Sequence, residues 1–233
     1  MGTANHKDNF DAYADSYDAW YDTQKGGTLL QTEAECLRPL LQKFPKPYVE
    51  LGVGSGRFAQ GLGIELGLDP SVNPLRKAMS RNVDVVRARA ENVPFKSNSF
   101  GAVLVAFTLC FVDDPLAMLS EVRRVLLPEG GLVLGTLPAG TAWADSYASR
   151  GREGHPIYRS ARFYAIEDTV TMLKQAGFTP FKYRSTLFQK PGLEHYQQED
   201  SLDGFDYKAG FVGIACVTSS LRINFSPVVS SPA

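Results

Sequence analysis

Three glycines on alternate positions, Gly52, Gly54 and Gly56, follow the short apolar run of VELGVGSGRFAQ, and a carboxylate, Glu50, sits inside that run. Glycines directly behind a strand allow a tight turn and let the backbone come close to a ligand. In open α/β sheets such a ligand lies beyond the carboxyl ends of the strands. Asp69 ends the next apolar run, nineteen positions after Glu50, where an acidic side chain can accept both hydroxyls of a ribose. Dinucleotide sites share that acid, but they also require G-x-G-x-x-G, and here Arg57 occupies the position of the third glycine. Glu50 points the same way. A carboxylate at the end of the first strand repels a pyrophosphate and suits a ligand that carries an ammonium and a sulfonium.

These residues need a sheet to hold them. Apolar runs at Tyr48–Leu51, Ile64–Leu68, Val83–Val86, Ala102–Phe107, Leu132–Thr136, a sixth near Phe181–Leu187, and Phe211–Val217 predict strands buried on both faces, as in a parallel sheet. Helical segments lie between them. In DDPLAMLSEVRRVLLPEGG, Asp114 can cap a helix, Pro115 suits its first turn, and Leu116, Leu119, Val122 and Leu126 form one stripe before Pro128 and Gly130. In IEDTVTMLKQAGF, Glu167 and Asp168 fall in the first turn, Lys174 in the last, and Gly177 is the stop. An earlier segment, TLLQTEAECLRPLLQKF, reads as an amphipathic helix that Pro39 should kink or end near Arg38. Repeated strand and helix units imply a doubly wound α/β sheet with helices on both faces, within a single domain over residues 1–222. Residues 138–165 and 190–210 are longer than ordinary connections and are predicted to cover the substrate side, 1–45 to form a helical lid, and 223–233 to be a disordered tail.

S-adenosylmethionine carries the positive charges that Glu50 suits. The stretches VELGVGSGRFAQGLG, GLDPS, ARAENVPFKSNSFGAVLVAFTLCFVDDPLAMLSEVRRVLLPEGGLVLGT and ARFYAIEDTVTMLKQAGF together resemble the class I S-adenosylmethionine-dependent methyltransferases, in the branch of the small-molecule and quinone-type enzymes. The resemblance spans roughly Asp8 to Val217 in motif order. It implies a Rossmann-like sheet of seven strands whose last strand is antiparallel. It also implies that Glu50 lies near the methionine ammonium and that Gly52, Gly54 and Gly56 let the backbone pass under methionine and ribose. By the same resemblance Asp69 holds the ribose hydroxyls and Pro70 packs on adenine, with Ala90 and Glu91 along the adenine edge and Ala106 and Phe107 beside the sulfonium. S-adenosylhomocysteine would be the product. One departure stands out: many relatives have Asp before the Ala-Glu pair, and this chain has Arg89.

The front of the chain, FDAYADSYDAWY, carries five aromatics, Phe10, Tyr13, Tyr17, Trp20 and Tyr21, at spacings that put most of them on one helical face. One reading is a packing stripe. The other, which the resemblance also implies, is a lid in which Tyr13, Tyr17 or Tyr21 closes over the cofactor, since aromatic faces attract a cation. On the acceptor side His155 could act as a base, and Tyr147, Tyr158, Arg159 or Arg162 could orient a polar acceptor. Transfer of an activated methyl is mainly a matter of positioning and exclusion of water, so no strict catalytic signature is expected.

Composition narrows the partner. The 233 residues are 44% apolar, and 24 Lys and Arg against 25 Asp and Glu leave a net charge of -1, with no basic field to attract nucleic acid or an anionic membrane. No apolar run approaches a spanning helix, no signal peptide opens the chain, and the start fails as a myristoylation signal. Cys36, Cys110 and Cys216 are odd in number, far apart and among apolar residues, which predicts buried free thiols and a cytoplasmic protein. They speak against a disulfide framework. His6, His155 and His195 are too scattered for a metal site. A small-molecule acceptor is therefore the expected partner. Two other functions compete: a regulatory or scaffold protein that binds the cofactor or its product without transfer, and a short-chain NAD(P)-dependent oxidoreductase. The latter needs Tyr-x-x-x-Lys after the glycines, whereas Tyr21 and Lys25 precede them. Methylation of a thiol-bound metalloid would require converging cysteines, of which Cys110 alone follows the fourth strand.

Overall fold

The computed structural model describes residues 6–219, and the tail expected over 223–233 lies outside the described residues. Among the described residues eight strands form one sheet: β1 (Tyr48–Leu51), β2 (Leu66–Asp69), β3 (Asp84–Arg87), β4 (Phe100–Ala106), β5 (Leu126–Thr136), β6 (Phe178–Thr186), β7 (Leu202–Asp203) and β8 (Phe211–Thr218). Their order is β3-β2-β1-β4-β5-β8-β6-β7. The first five pair in parallel, and β8 lies antiparallel between β5 and β6. The doubly wound sheet agrees with the strand and helix pattern of the sequence, and the antiparallel last strand with what the resemblance implies.

The strand number needs correction from seven to eight. The added strand, β7, has two residues that pair with Ser185 and Arg184 at the sheet edge, inside the segment 190–210. Both of its residues are exposed, so no apolar run marked it. The second strand also starts later than its apolar run. Ile64 is buried at the end of a helix instead, where its N–H donates to the Ala59 carbonyl at 2.9 Å.

Seven α-helices among the described residues flank the sheet: α1 (His6–Trp20), α2 (Gln24–Leu41), α3 (Arg57–Leu62), α4 (Val72–Ser80), α5 (Pro115–Val125), α6 (Ala142–Arg152) and α7 (Ile166–Gln175). The expected break at Pro39 does not occur, and α2 continues to Leu41. Pro39 stands in the last turn, where a missing N–H costs one bond to the Glu35 carbonyl, and complete burial of Leu37 and Leu40 keeps the turn in place. Asp114 caps α5 as its sequence requires, accepting from the N–H groups of Leu116 and Ala117, each at 3.0 Å.

Strand alternation divides the core into two layers. Ala102, Leu104 and Val133 face Leu37 and Leu40 of α2, Phe58 of α3 and Leu75 of α4. Val103, Val105, Leu132 and Leu134 face Met118, Leu119 and Val122 of α5 and Leu173 of α7. Val49 and Leu51 belong to the second layer, so Glu50 between them turns toward α3. Sheet pleat thus sets the direction of the carboxylate. No described helix is long and apolar enough to cross a membrane.

Candidate functional site

The strand order reverses between β1 and β4, and a cavity of about 430 Å³ opens beyond their carboxyl ends. Its wall combines Glu50, Gly52 and Gly54 after β1, Asp69 and Pro70 after β2, Ala90 and Glu91 after β3, and Ala106 and Phe107 after β4. Tyr17 and Tyr21 close it from the amino-terminal side. These expected residues therefore meet at one cavity. Gly56 and Tyr13 stand outside its lining: Gly56 forms the start of α3 against Ala78, and Tyr13 is 44% exposed. The inward face of α1 is Phe10, Ala14 and Tyr17, a register that turns Tyr13 to solvent.

Backbone shape gives the cavity floor. Gly52, Gly54 and Gly56 all have positive φ, at 75°, 51° and 79°. A side chain at Gly52 would strike Thr108, whose Oγ1 would lie 2.1 Å from the new Cβ, whereas at Gly54 nothing protein-borne stands within 4 Å. Gly54 thus bares its backbone to the cavity. Its N–H donates to Asp69 Oδ2 at 3.1 Å, and the Ser71 N–H donates to Asp69 Oδ1 at 2.8 Å, so the carboxylate is fixed with lone pairs to spare.

Glu50 is 2% exposed, and its Oε2 is buried without a hydrogen-bond partner. Burial pushes this carboxyl well above its usual range, opposed by a backbone hydrogen bond from Ala59 and reinforced by the Asp69 charge. Burial also pushes Asp69 up, against hydrogen bonds from Ser71 and Gly54. Two carboxyl groups on one desolvated wall favour a cationic ligand. Phe107, held at φ 57° between Phe58 and Phe211, adds a strained apolar corner.

Arg57, absent from dinucleotide fingerprints, ties two elements together. Its Nε donates to Asp18 Oδ1 at 2.7 Å and its Nη1 meets Asp22 at 2.8 Å, while Arg81 binds the other oxygen of Asp18 at 2.8 Å. Although burial pushes the Asp18 carboxyl up, hydrogen bonds from Arg57, Ser55 and Arg81 outweigh it and hold it well below the usual carboxylate range. The glycine turn and α1 are thereby latched to each other. Arg89 is likewise engaged by its neighbours. It binds Glu91 at 3.0 Å and also pairs with Asp113, and Glu91 accepts from the Asp113 N–H at 3.0 Å.

A second, smaller chamber adjoins the first and shares Tyr17, Tyr21, Phe107 and Phe111 with it. Tyr147 and Tyr158 from the segment 138–165 reach this chamber, together with Cys110 and Glu33. His155, Arg159 and Arg162 are not in its lining. His155 instead accepts from the N–H of Ile157 at 3.3 Å and stacks on Tyr158 at 4.4 Å, which makes it a cap of the short 3₁₀ turn Tyr158–Ser160. Arg162 contributes its backbone N–H to the Cys110 carbonyl at 2.8 Å while the rest of the residue is exposed. Glu33 escaped notice in the sequence, although a signal existed: it falls on the apolar stripe of α2, four residues from both Leu29 and Leu37.

The thiols do not converge. Cys36 and Cys216 are buried in opposite core layers, and burial pushes Cys36 and Cys110 up to about 12. Among the described residues no group of His, Cys, Asp and Glu could hold a metal ion.

Residues 49–134 match a family described as a methyltransferase domain. A Mycobacterium tuberculosis protein described as uncharacterized is 52% identical over 204 residues, covering 88% of this chain and 72% of its own. A Thermotoga maritima structure, described as an S-adenosylmethionine-dependent methyltransferase and possible histamine N-methyltransferase, is 32% identical, with a TM-score of 0.83 over 93% of this chain and all of that one (100%). The demethylmenaquinone methyltransferase of Corynebacterium kroppenstedtii is 30% identical over 129 residues, 54% of this chain and 56% of that one.

Proposed function

The chain belongs to the S-adenosylmethionine-dependent methyltransferases, and on that premise we propose that it methylates a small-molecule acceptor held in the aromatic chamber beside the main cavity. The observation that carries this reading is the junction of the two spaces, walled by Tyr17, Tyr21, Phe107 and Phe111. An acceptor entering one space would meet there a ligand occupying the other.

The residues present fit the cofactor. Glu50 offers a buried carboxyl oxygen without a partner, which an ammonium would satisfy, and Gly54 leaves its backbone open to the cavity. A pyrophosphate in the same place would face Glu50 and Asp69 without a compensating cation in the glycine turn, because Arg57 is engaged by Asp18 and Asp22. In this reading Glu50 holds the ammonium and Asp69 accepts from the ribose hydroxyls. Pro70 packs on adenine, Ala90 and Glu91 line its edge, and Ala106 and Phe107 bound the reacting end. Tyr17 and Tyr21 cover the site, and Gly56 acts by placing the turn.

When bound, S-adenosylmethionine supplies a methyl group already activated by its sulfonium. The chain's own share is to hold the acceptor in line with that methyl and to keep water away. The half-buried aromatic wall of Tyr17, Tyr21, Tyr147 and Tyr158 serves both ends. The size of the smaller chamber and the net charge of -1 support a small acceptor over nucleic acid.

Calorimetric titration with S-adenosylmethionine, S-adenosylhomocysteine and NAD in parallel tests the reading. Binding of the first two without NAD is expected, followed by transfer of labelled methyl to a member of a small-acceptor panel. Binding of NAD alone would overturn it.

A further inference from the structure

The smaller chamber, about 40 Å³, is lined by Tyr17, Trp20, Tyr21, Tyr147, Tyr158 and Phe163. At roughly 10–15 Å³ per water this is room for a compact polar head group, not for a whole large acceptor. One carboxyl group enters this aromatic wall: Glu33 of α2, 7% exposed. No hydrogen bond or ion pair among the described residues reaches it, although burial pushes it well above the usual carboxylate range.

A buried carboxyl without a partner costs stability in either state, ionised for want of a counter-charge and protonated for want of an acceptor for its hydrogen. What compensates such a group is a cation arriving with the ligand. The ring faces around it attract a cation as well, most strongly in a desolvated site. A neutral alcohol or an anionic acceptor would gain little from those faces and would leave the carboxylate uncompensated.

We propose that the chamber receives the amino group of a basic amine, with Glu33 as its carboxylate partner, so that the acceptor atom is nitrogen. This rests on the methyltransferase reading of the main cavity. An ammonium has no lone pair, so it must lose a proton before it can react. Glu33 takes that proton from the ammonium, leaving a neutral amine in the aromatic enclosure. The freed lone pair forms the nitrogen–carbon bond as the carbon–sulfur bond breaks, and the positive charge passes from sulfur to nitrogen. The product departs as an N-methylammonium, and the proton on Glu33 goes to water. Desolvation serves this exchange from both sides, raising the carboxyl and lowering the amine.

Calorimetry on the full chain saturated with S-adenosylhomocysteine tests the proposal with matched pairs: butylamine and butanol, phenethylamine and 2-phenylethanol. At least one amine should bind about tenfold or more tightly than its alcohol. Glu33→Gln should bring that pair to within about threefold while leaving S-adenosylhomocysteine affinity unchanged. Amines no better than alcohols in every pair, or a preference that survives in Glu33→Gln, overturns the proposal. The comparison in the unaltered protein decides even if the variant does not fold. Failure of S-adenosylhomocysteine itself to bind is a separate result, and it strikes the reading of the main cavity.

Discussion

Replacing Glu50 with glutamine keeps the shape of the side chain and removes its charge. In the free protein the carboxyl is 2% exposed, with Oε2 unpartnered, and burial pushes it well above the usual range. Its proton is therefore held more tightly in the folded chain than in the unfolded one. The sign follows: the contribution of Glu50 to stability is complete below the unfolded value of about 4.3 and is lost as pH rises toward the folded one. Glu50→Gln should accordingly raise the melting temperature relative to the parent more at pH 8 than at pH 5. Binding should move the other way. A hydrogen bond to a charged group is worth about 1.5–3 kcal/mol, so affinity for S-adenosylmethionine should fall roughly ten- to hundredfold. The ligand's α-ammonium is charged below about pH 7.7–8.0, and its arrival opposes the raised proton affinity of Glu50, so binding should release a proton. Titrations in two buffers of different ionisation enthalpy read that proton directly. Affinity unchanged within about twofold, or proton release that persists in the variant, would refute this account of the first strand's acid.

Asp69→Ala should weaken S-adenosylmethionine by about 1.5–3 kcal/mol in the same titration, and unchanged affinity would show that the ribose is held elsewhere. Cys36→Ser and Cys216→Ser should leave turnover intact, because the two thiols lie in opposite core layers; loss of turnover in either, with the melt unchanged, would contradict this. Asp18→Ala should free α1 and cost about 2 kcal/mol in denaturant melts, somewhat less than breaking a fully buried pair because Arg57 and Arg81 keep 14% and 17% exposure. The low folded pKa of Asp18 places its own loss below about pH 4, so hydrogen exchange in α1 that loosened between pH 8 and 5 through this residue would be wrong in sign.

The parts of the fold legible in the sequence are those where one physical pattern dominates. Strands buried on both faces, such as Ala102–Ala106, leave a short apolar run bounded by turn residues, which its length separates from a helix. The cap at Asp114 is a local contract between a side chain and two amides. The two-residue β7 carries no such pattern, because it exists only as a partner of β6. Pro39 misled for a related reason: helix-breaking is a local cost, and the burial of Leu37 and Leu40 that outweighs it is tertiary. At the cavity, the meeting of Glu50, Gly52, Gly54 and Asp69 was legible because a turn directly behind a strand at the carboxyl end of a sheet restricts residue type. Tyr13 and His155 were not placed correctly by spacing alone. Helical register is ambiguous when five aromatics crowd twelve positions, and a histidine in a loop takes whatever amides the turn presents.

Arg57 connects these two kinds of legibility. Its presence where a third glycine would stand separates the turn from a dinucleotide fingerprint, a purely local observation. Its geometry adds what the pattern could not contain: the guanidinium reaches from the first turn of α3 to Asp18 and Asp22 at the end of α1. A glycine there would leave Asp18 with Ser55, Arg81 and Lys77 and would loosen the helix that brings Tyr17 and Tyr21 over the cavity. α1 is therefore tied to the same turn whose backbone forms the floor, so displacement of either is felt by the other. Closure and cofactor affinity should then be coupled through Arg57, and the exchange rate of α1 amides should slow when S-adenosylhomocysteine is bound. Slowing of equal size in Arg57→Ala would mean that the coupling runs through the aromatic contacts of Tyr17 and Tyr21 instead.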